Sequence, residues 1–136
     1  MSFLLWSDQL SVGREVIDNE HKQLIAIIND LHDALAAGHE RQEIGLVIER
    51  MLRYTRSHFA YEEAILLRCG YPDFAAHKRE HDAMVAWAAS VQDRFEQGDT
   101  SALSQEVLVY LKDWFYDHVG RVDQNYVAYL SQNDCH

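Results

Sequence analysis

The stretch HFAYEEAILLRCGYPDFAAHKREH, residues 58–81, contains His58-x-x-x-Glu62 and His77-x-x-x-His81 on either side of Gly70-Tyr71-Pro72. Residues four apart on a helix lie about 6 Å apart along the axis and about 40° apart around it, so each pair shares one helix face. Glycine stops a helix and proline sits at the start of the next, which makes the break a tight turn between two helices. Outward from this turn, Asp18 or Asn19 reads as a helix start, Gly38 as a stop, Asp73 as a cap after Pro72, and Gly98 as a further stop. Helices are predicted at about 19–37, 42–69, 73–97 and 101–118, with a short C-terminal helix after Asp123. Loops of a few residues make successive helices antiparallel, which predicts an all-α, up-down-up-down four-helix bundle.

The chain has 136 residues, 48% of them hydrophobic, with one proline, six glycines and no low-complexity tract. Such a chain is expected to form a single domain, residues 1–136, with a core that needs no metal to fold. Twenty-two acidic against twelve basic side chains give a formal charge of −10, which argues against nucleic acid or an anionic membrane as partner. The opening MSFLLWSDQL is too short in apolar residues for a signal-peptide core, and no later segment is apolar enough to span a bilayer. The expected location is the cytoplasm, where Cys69 and Cys135 are expected as free thiols.

Apolar stripes show where the histidines point. The first helix aligns His21 with Leu24, Ile25, Ile28, Leu31 and Leu35, and the second aligns Ile44, Ile48, Met51 and Thr55 with His58 and Glu62. The third aligns Phe74, His77, His81, Met84 and Ala88, and the fourth Leu103, Val107, Leu111, Trp114 and His118. One histidine on an apolar face is ordinarily a satisfied core residue. Four or five with a carboxylate are not, because each unpaired buried polar group costs roughly 1–3 kcal/mol and a buried charge more.

A bound metal resolves this conflict. Imidazole with carboxylate suits iron, zinc, copper or manganese, and the lack of paired core cysteines weakens a structural zinc or iron–sulfur site. Neither His-Glu-x-x-His nor the Glu-x-x-His pairs of ferritin-like di-iron proteins occurs. A further stretch, DWFYDHVGRVDQNY, places Asp123 five residues after His118. On a regular helix that step rotates about 140°, so both face one metal only if the chain unwinds between them; Gly120 offers such a break.

In order and spacing, His21 in DNEHKQL, His58 and Glu62 in HFAYE, His77 and His81 in HKREH, and His118 and Asp123 in HVGRVD resemble the seven-ligand signature of the hemerythrin family. The resemblance runs from Trp6 to about Tyr126 and implies the same bundle, with an N-terminal arm containing Trp6. It further implies two iron ions joined by an oxo or hydroxo group. His77, His81 and His118 would bind one iron and His21 and His58 the other, with Glu62 and Asp123 bridging. Dioxygen would bind at the open position on the iron held by His21 and His58, under an apolar pocket at Leu24, Phe59, Trp114 and Val119.

Other residues keep two readings. His32 is expected to pack or to hydrogen-bond a ligand, Glu63 to be a surface charge or to support a ligand, and Tyr126 to hydrogen-bond the site or simply pack the terminal helix. His39 and His136 are expected in solvent, and Cys69 has no visible activating partner. The leading functional expectation is a non-enzymatic, reversible oxygen-binding protein for storage, transport or buffering. The alternatives are an oxygen or redox sensor acting through a partner protein and a di-iron peroxidase or nitric oxide reductase. No exposed apolar stripe sets the oligomeric state.

Overall fold

A computed structural model describes residues 2–99 and 102–135. All of its regular structure is helical: α1 (Glu15–Ala36), α2 (Arg41–Arg68), α3 (Phe74–Glu96), α4 (Gln105–Asp117) and the short α5 (Gln124–Gln132). The first four form the antiparallel four-helix bundle that the loop lengths predict. A short 3₁₀ turn, Asp8–Leu10, lies in the N-terminal arm. The turn at Gly70 closes α2 because glycine adopts φ 69°, which lets Gly70 N–H reach Leu67 O (3.1 Å) and Tyr71 N–H reach Leu66 O (3.0 Å).

Helix starts differ from the expectation. α1 begins at Glu15 because Asp18 does not cap it; its carboxylate instead accepts from Val12 N–H (2.9 Å) and the Ser11 hydroxyl, tying down the incoming arm. α4 begins at Gln105, where Ser104 Oγ accepts from Val107 N–H (3.4 Å); Ser101 lies outside the described residues. Asp73 stands at the cap of α3, but its side chain makes no capping hydrogen bond.

The N-terminal arm packs on the bundle as expected. Asn29 holds it twice, accepting from Leu4 N–H (2.7 Å) and donating to Leu4 O (3.0 Å), and Lys22 Nζ sits 4.9 Å from the Trp6 ring centroid. Phe3 stacks on His32 with centroids 4.4 Å apart, so His32 takes its packing role and supports no ligand. His39 is half-exposed and lies 3.3 Å from Glu43, while His136 lies outside the described residues.

Cys69 and Cys135 are joined in a disulfide, which corrects the expectation of free thiols. That expectation rested on compartment and sequence context alone. It did not follow α5 folding back until Cys135 meets the cap of α2, with Cα atoms 6.0 Å apart. Tyr129 reinforces the junction by donating to Cys69 O (3.0 Å) and Gly70 O (2.9 Å). The interior has a large apolar cluster and a smaller one at the disulfide end that includes Ile17, Ile65, Tyr126 and Leu130. Along α1, His21 falls between Ile17 of the small cluster and Leu24 of the large; along α2, Glu62 falls between Phe59 and Ile65. The polar residues therefore form a layer between two apolar ones.

Candidate metal centre

All seven ligand candidates of the sequence reach this layer, and each is at least 97% buried. α1 contributes His21, α2 His58 and Glu62, and α3 His77 and His81. His118 and Asp123 bracket a single π turn, His118–Val122, at the end of α4. In that turn Asp123 N–H donates to His118 O (2.7 Å), so five residues complete one turn and bring both side chains to one side. The unwinding is thus present as expected, but Gly120 does not supply it. Gly120 is not among the positive-φ glycines, and the flanking His118 (φ −65°, ψ −52°) and Asp123 (φ −64°, ψ −31°) are ordinary right-handed residues.

The side chains sort into two groups that share Glu62. Ligand atoms of Glu62, His77, His81, His118 and Asp123 lie within 4.8 Å of one another, as do those of His21, His58 and Glu62. Glu62 Oε1 lies 2.6 Å from His77 Nε2 and 3.2 Å from His81 Nε2, whereas Oε2 faces His58 Nε2 (3.8 Å) and His21 Nε2 (4.0 Å). Asp123 divides in the same way. Its Oδ1 lies 3.1 Å from His118 Nε2 and 3.3 Å from His77 Nε2, and its Oδ2 lies 3.4 Å from His21 Nε2. Each carboxylate thus turns one oxygen to the three-histidine side and the other to the two-histidine side.

Protein contacts alone do not satisfy this cluster. Among the described residues, His21 Nε2 and both Asp123 carboxylate oxygens are buried without a hydrogen-bond partner, and His81 Nε2 faces His118 Nε2 at 3.0 Å. Metal coordination satisfies such inward lone pairs, and the donors, imidazole nitrogens with two carboxylates, fit a pair of first-row metal ions. Burial, then the nearby His58, lowers the His21 pKa to about 3, and burial lowers that of His118 to about 4, so both rings are neutral donors at physiological pH. At His58 and His77 burial also disfavours the charged ring, but hydrogen bonds to Glu20 and Glu62 respectively outweigh it and raise both pKa values. Burial and then Glu62 push the Asp123 carboxyl well up. At Glu62 itself burial is outweighed by hydrogen bonds from His77 and His81, which hold it well below the usual carboxylate range.

The outer sides of the histidines show residues that the apolar stripes did not find. His58 Nδ1 lies 2.9 Å from Glu20 Oε1 and His81 Nδ1 2.8 Å from Glu63 Oε2, so Glu63 supports a ligand. Glu80 Oε1 stands farther from His118 Nδ1, at 3.6 Å. Their signal was available, since each adjoins a ligand in sequence and therefore points about 100° away from it, toward a neighbouring helix. Tyr126 combines its two expected roles. It is fully buried in the small cluster, and its hydroxyl donates to Glu62 Oε2 at 3.0 Å.

Above the cluster lies an apolar cavity of about 30 Å³, large enough for one molecule the size of water or dioxygen. Leu24, Phe59, Trp114 and Val119 all line it, together with His21, His58 and His118. Phe59 stacks on His81 (3.7 Å between centroids) and Trp114 on His118 (4.5 Å), so these two bound the cavity from the three-histidine side. Ile28, Met51, Met84 and Phe115 complete much of the wall; sequence reasoning had assigned the first three only to the core stripes and had not singled out Phe115.

Comparison with known proteins agrees with this architecture. The hemerythrin HHE cation binding domain family matches residues 12–130. The bacteriohemerythrin of Stenotrophomonas maltophilia is 38% identical over 136 residues, covering 97% of this chain and 87% of its own. That of Methylococcus capsulatus is 38% identical, covering 96% and 99%. A crystal structure of wild-type hemerythrin superposes with a TM-score of 0.88 at 34% identity, covering 96% of this chain and 99% of that one. No helix among the described residues is long and apolar enough to cross a membrane. A match over nearly the whole length, embracing all seven converging residues, makes the chain a member of the hemerythrin family.

Proposed function

We propose that His77, His81 and His118 hold one iron ion and His21 and His58 a second, that Glu62 and Asp123 bridge the two, and that the pair binds dioxygen reversibly for storage, transport or buffering. The observation that carries this reading is the division of both carboxylates between the two histidine groups. The two-histidine side has one donor fewer, and the apolar cavity lies against both of its histidines. Iron, when bound, supplies the electrons that dioxygen takes up and returns.

The chain's own part is to position donors and to exclude water. Leu24, Ile28, Met51 and Phe115 make the cavity wall apolar, which disfavours water and free protons there. Phe59 and Trp114 fix the ring planes of His81 and His118 by stacking. Tyr126 is not among the residues that line the cavity; its proton points at Glu62 and is held there by a pKa raised well above the ordinary phenol value, by burial and then by Glu62. The Tyr126 hydroxyl, a proton donor beside the site, is thus turned away from the cavity, which favours binding over catalysis.

The test is the visible spectrum of anaerobically reduced, iron-loaded protein before O₂, after O₂, and after argon purging. A band that appears with O₂ and fades on purging supports the reading. Direct conversion to an oxidised, O₂-inert centre refutes the carrier role and transfers the site to sensing through a partner or to catalysis. For the ligand assignment, His118→Ala is expected to lose metal from the three-histidine position; full retention of two irons would contradict it.

A further inference from the structure

Three glutamates beside the cluster, Glu20, Glu63 and Glu80, form a sequence-ordered series. Glu20 adjoins His21 on α1 but hydrogen-bonds His58 on α2 (2.9 Å). Glu63 adjoins Glu62 on α2 but hydrogen-bonds His81 on α3 (2.8 Å). Glu80 adjoins His81 on α3 and faces His118 at the end of α4, 3.6 Å away. Each helix thus supports a histidine of the next through a carboxylate beside its own site residue. The series is graded: Glu20 and Glu63 are 21% and 17% exposed and within hydrogen-bond distance, whereas Glu80 is 44% exposed and too far for a hydrogen bond. His21 stands outside the series, for its Nδ1 is buried with no partner among the described residues.

We propose that Glu20 and Glu63 are positioning residues, each serving one metal position: Glu63 fixes His81 and strengthens the three-histidine position, and Glu20 fixes His58 and strengthens the two-histidine position. This rests on the di-iron reading above. A carboxylate on Nδ1 locks the tautomer with Nε2 free to bind metal, orients the ring, and makes the nitrogen a stronger donor. Because an anion beside a ligand also favours the more highly charged metal state, removing it makes the centre easier to reduce. Glu80, longer and more exposed, is screened and contributes little.

The experiment is metal release from iron-loaded protein into excess chelator, together with the reduction midpoint, for wild type, Glu20→Ala, Glu63→Ala, Glu63→Gln and Glu80→Ala. Wild type is expected to release its two metals in two phases, with the three-histidine position slower. Glu63→Ala should accelerate the slow phase about 10–100-fold, Glu20→Ala should accelerate the fast phase, and Glu80→Ala should change neither phase by more than about threefold. Glu63→Gln keeps an acceptor but not the charge, so it should retain most of its metal while its midpoint moves to more positive potential, a shift that a purely structural role would not produce. Circular dichroism of each metal-free variant shows whether its helices are intact. Unchanged release phases and midpoint in the Glu63 variants, with normal loading of wild type, overturn the inference alone. Uptake of fewer than two irons by wild type overturns the di-iron reading beneath it, and the inference with it.

Discussion

Tyr126→Phe removes one hydroxyl and leaves the ring, with its edge contact to Tyr71 (centroids 6.3 Å) and its packing on His77 (5.7 Å). Lost is the 3.0 Å hydrogen bond to Glu62 Oε2, between two side chains that are both fully buried. Because the hydrogen bonds from His77 and His81 keep Glu62 well below the usual carboxylate range, the acceptor is ionised at neutral pH. A buried hydrogen bond to a charged group contributes about 1.5–3 kcal/mol, and no water replaces the donor in so closed a layer. With a urea dependence of about 2 kcal/mol per molar, the unfolding midpoint of metal-free protein should fall by about 0.8–1.5 M at pH 7. Stability that Glu62 confers is present above the unfolded carboxylate pKa and lost as pH falls through its depressed folded value, so the penalty should shrink on acidification. Urea unfolding followed by circular dichroism measures this. A destabilisation under about 0.5 kcal/mol at pH 7 would refute the argument and reduce Tyr126 to core packing.

Four other outcomes follow from the geometry. Metal uptake by metal-free protein at pH 7 should release protons from His58 and His77, whose pKa values are raised above the ordinary histidine value, and not from His21 and His118, already neutral with values of about 3 and about 4; an indicator dye in weak buffer that records no release would contradict this. In the metal-free protein the two kinds of histidine act in adjacent pH windows: His21 and His118 lose their stabilisation as pH falls from the unfolded value of 6.5 toward about 3 and about 4, while His58 and His77 lose theirs as pH rises from 6.5 through their raised values, so their joint contribution should peak near pH 6.5; a urea midpoint without a maximum between the two windows would contradict this. Gly120→Ala should keep both metals and full stability, because the new Cβ meets only Leu10 Cδ2 at 3.4 Å and the backbone there needs no glycine; loss of metal on elemental analysis would show otherwise. Opening the disulfide with a dithiol, or Cys135→Ser, should cost about 2–4 kcal/mol in urea unfolding, since the bridge spans 66 positions of the unfolded chain; an unchanged midpoint would mean that the bond constrains nothing.

The bundle and the seven converging residues were legible because they depend on periodicity and spacing, which local sequence records. The need for unwinding between His118 and Asp123 was legible too, from five residues that regular helical rotation cannot bring to one side. Its cause was not: a π turn uses ordinary right-handed dihedrals, so no residue type marks it, and glycine was a misleading cue. The start of α1 was missed because Asp18 has capping chemistry but spends it on Ser11 and Val12. Pairing of Cys69 with Cys135 was illegible because it depends on where α5 lands after a long excursion of the chain. Glu20 could have been found by following each ligand's neighbour around the helix; stripes of apolar residues direct attention to the wrong face.

Spreading the three-histidine group over α2, α3 and the end of α4 has a kinetic consequence. The two-histidine group needs α1 and α2 together, and the other needs α2, α3 and the end of α4. The first lies within one helical hairpin, but no hairpin holds the second, so metal bound at the three-histidine position stabilises the native bundle more than the transition state that precedes its closure. Metal should therefore leave the folding rate almost unchanged and slow unfolding. Its own escape then requires the helices to part, and the lifetime of the loaded protein becomes a measure of how often the bundle opens.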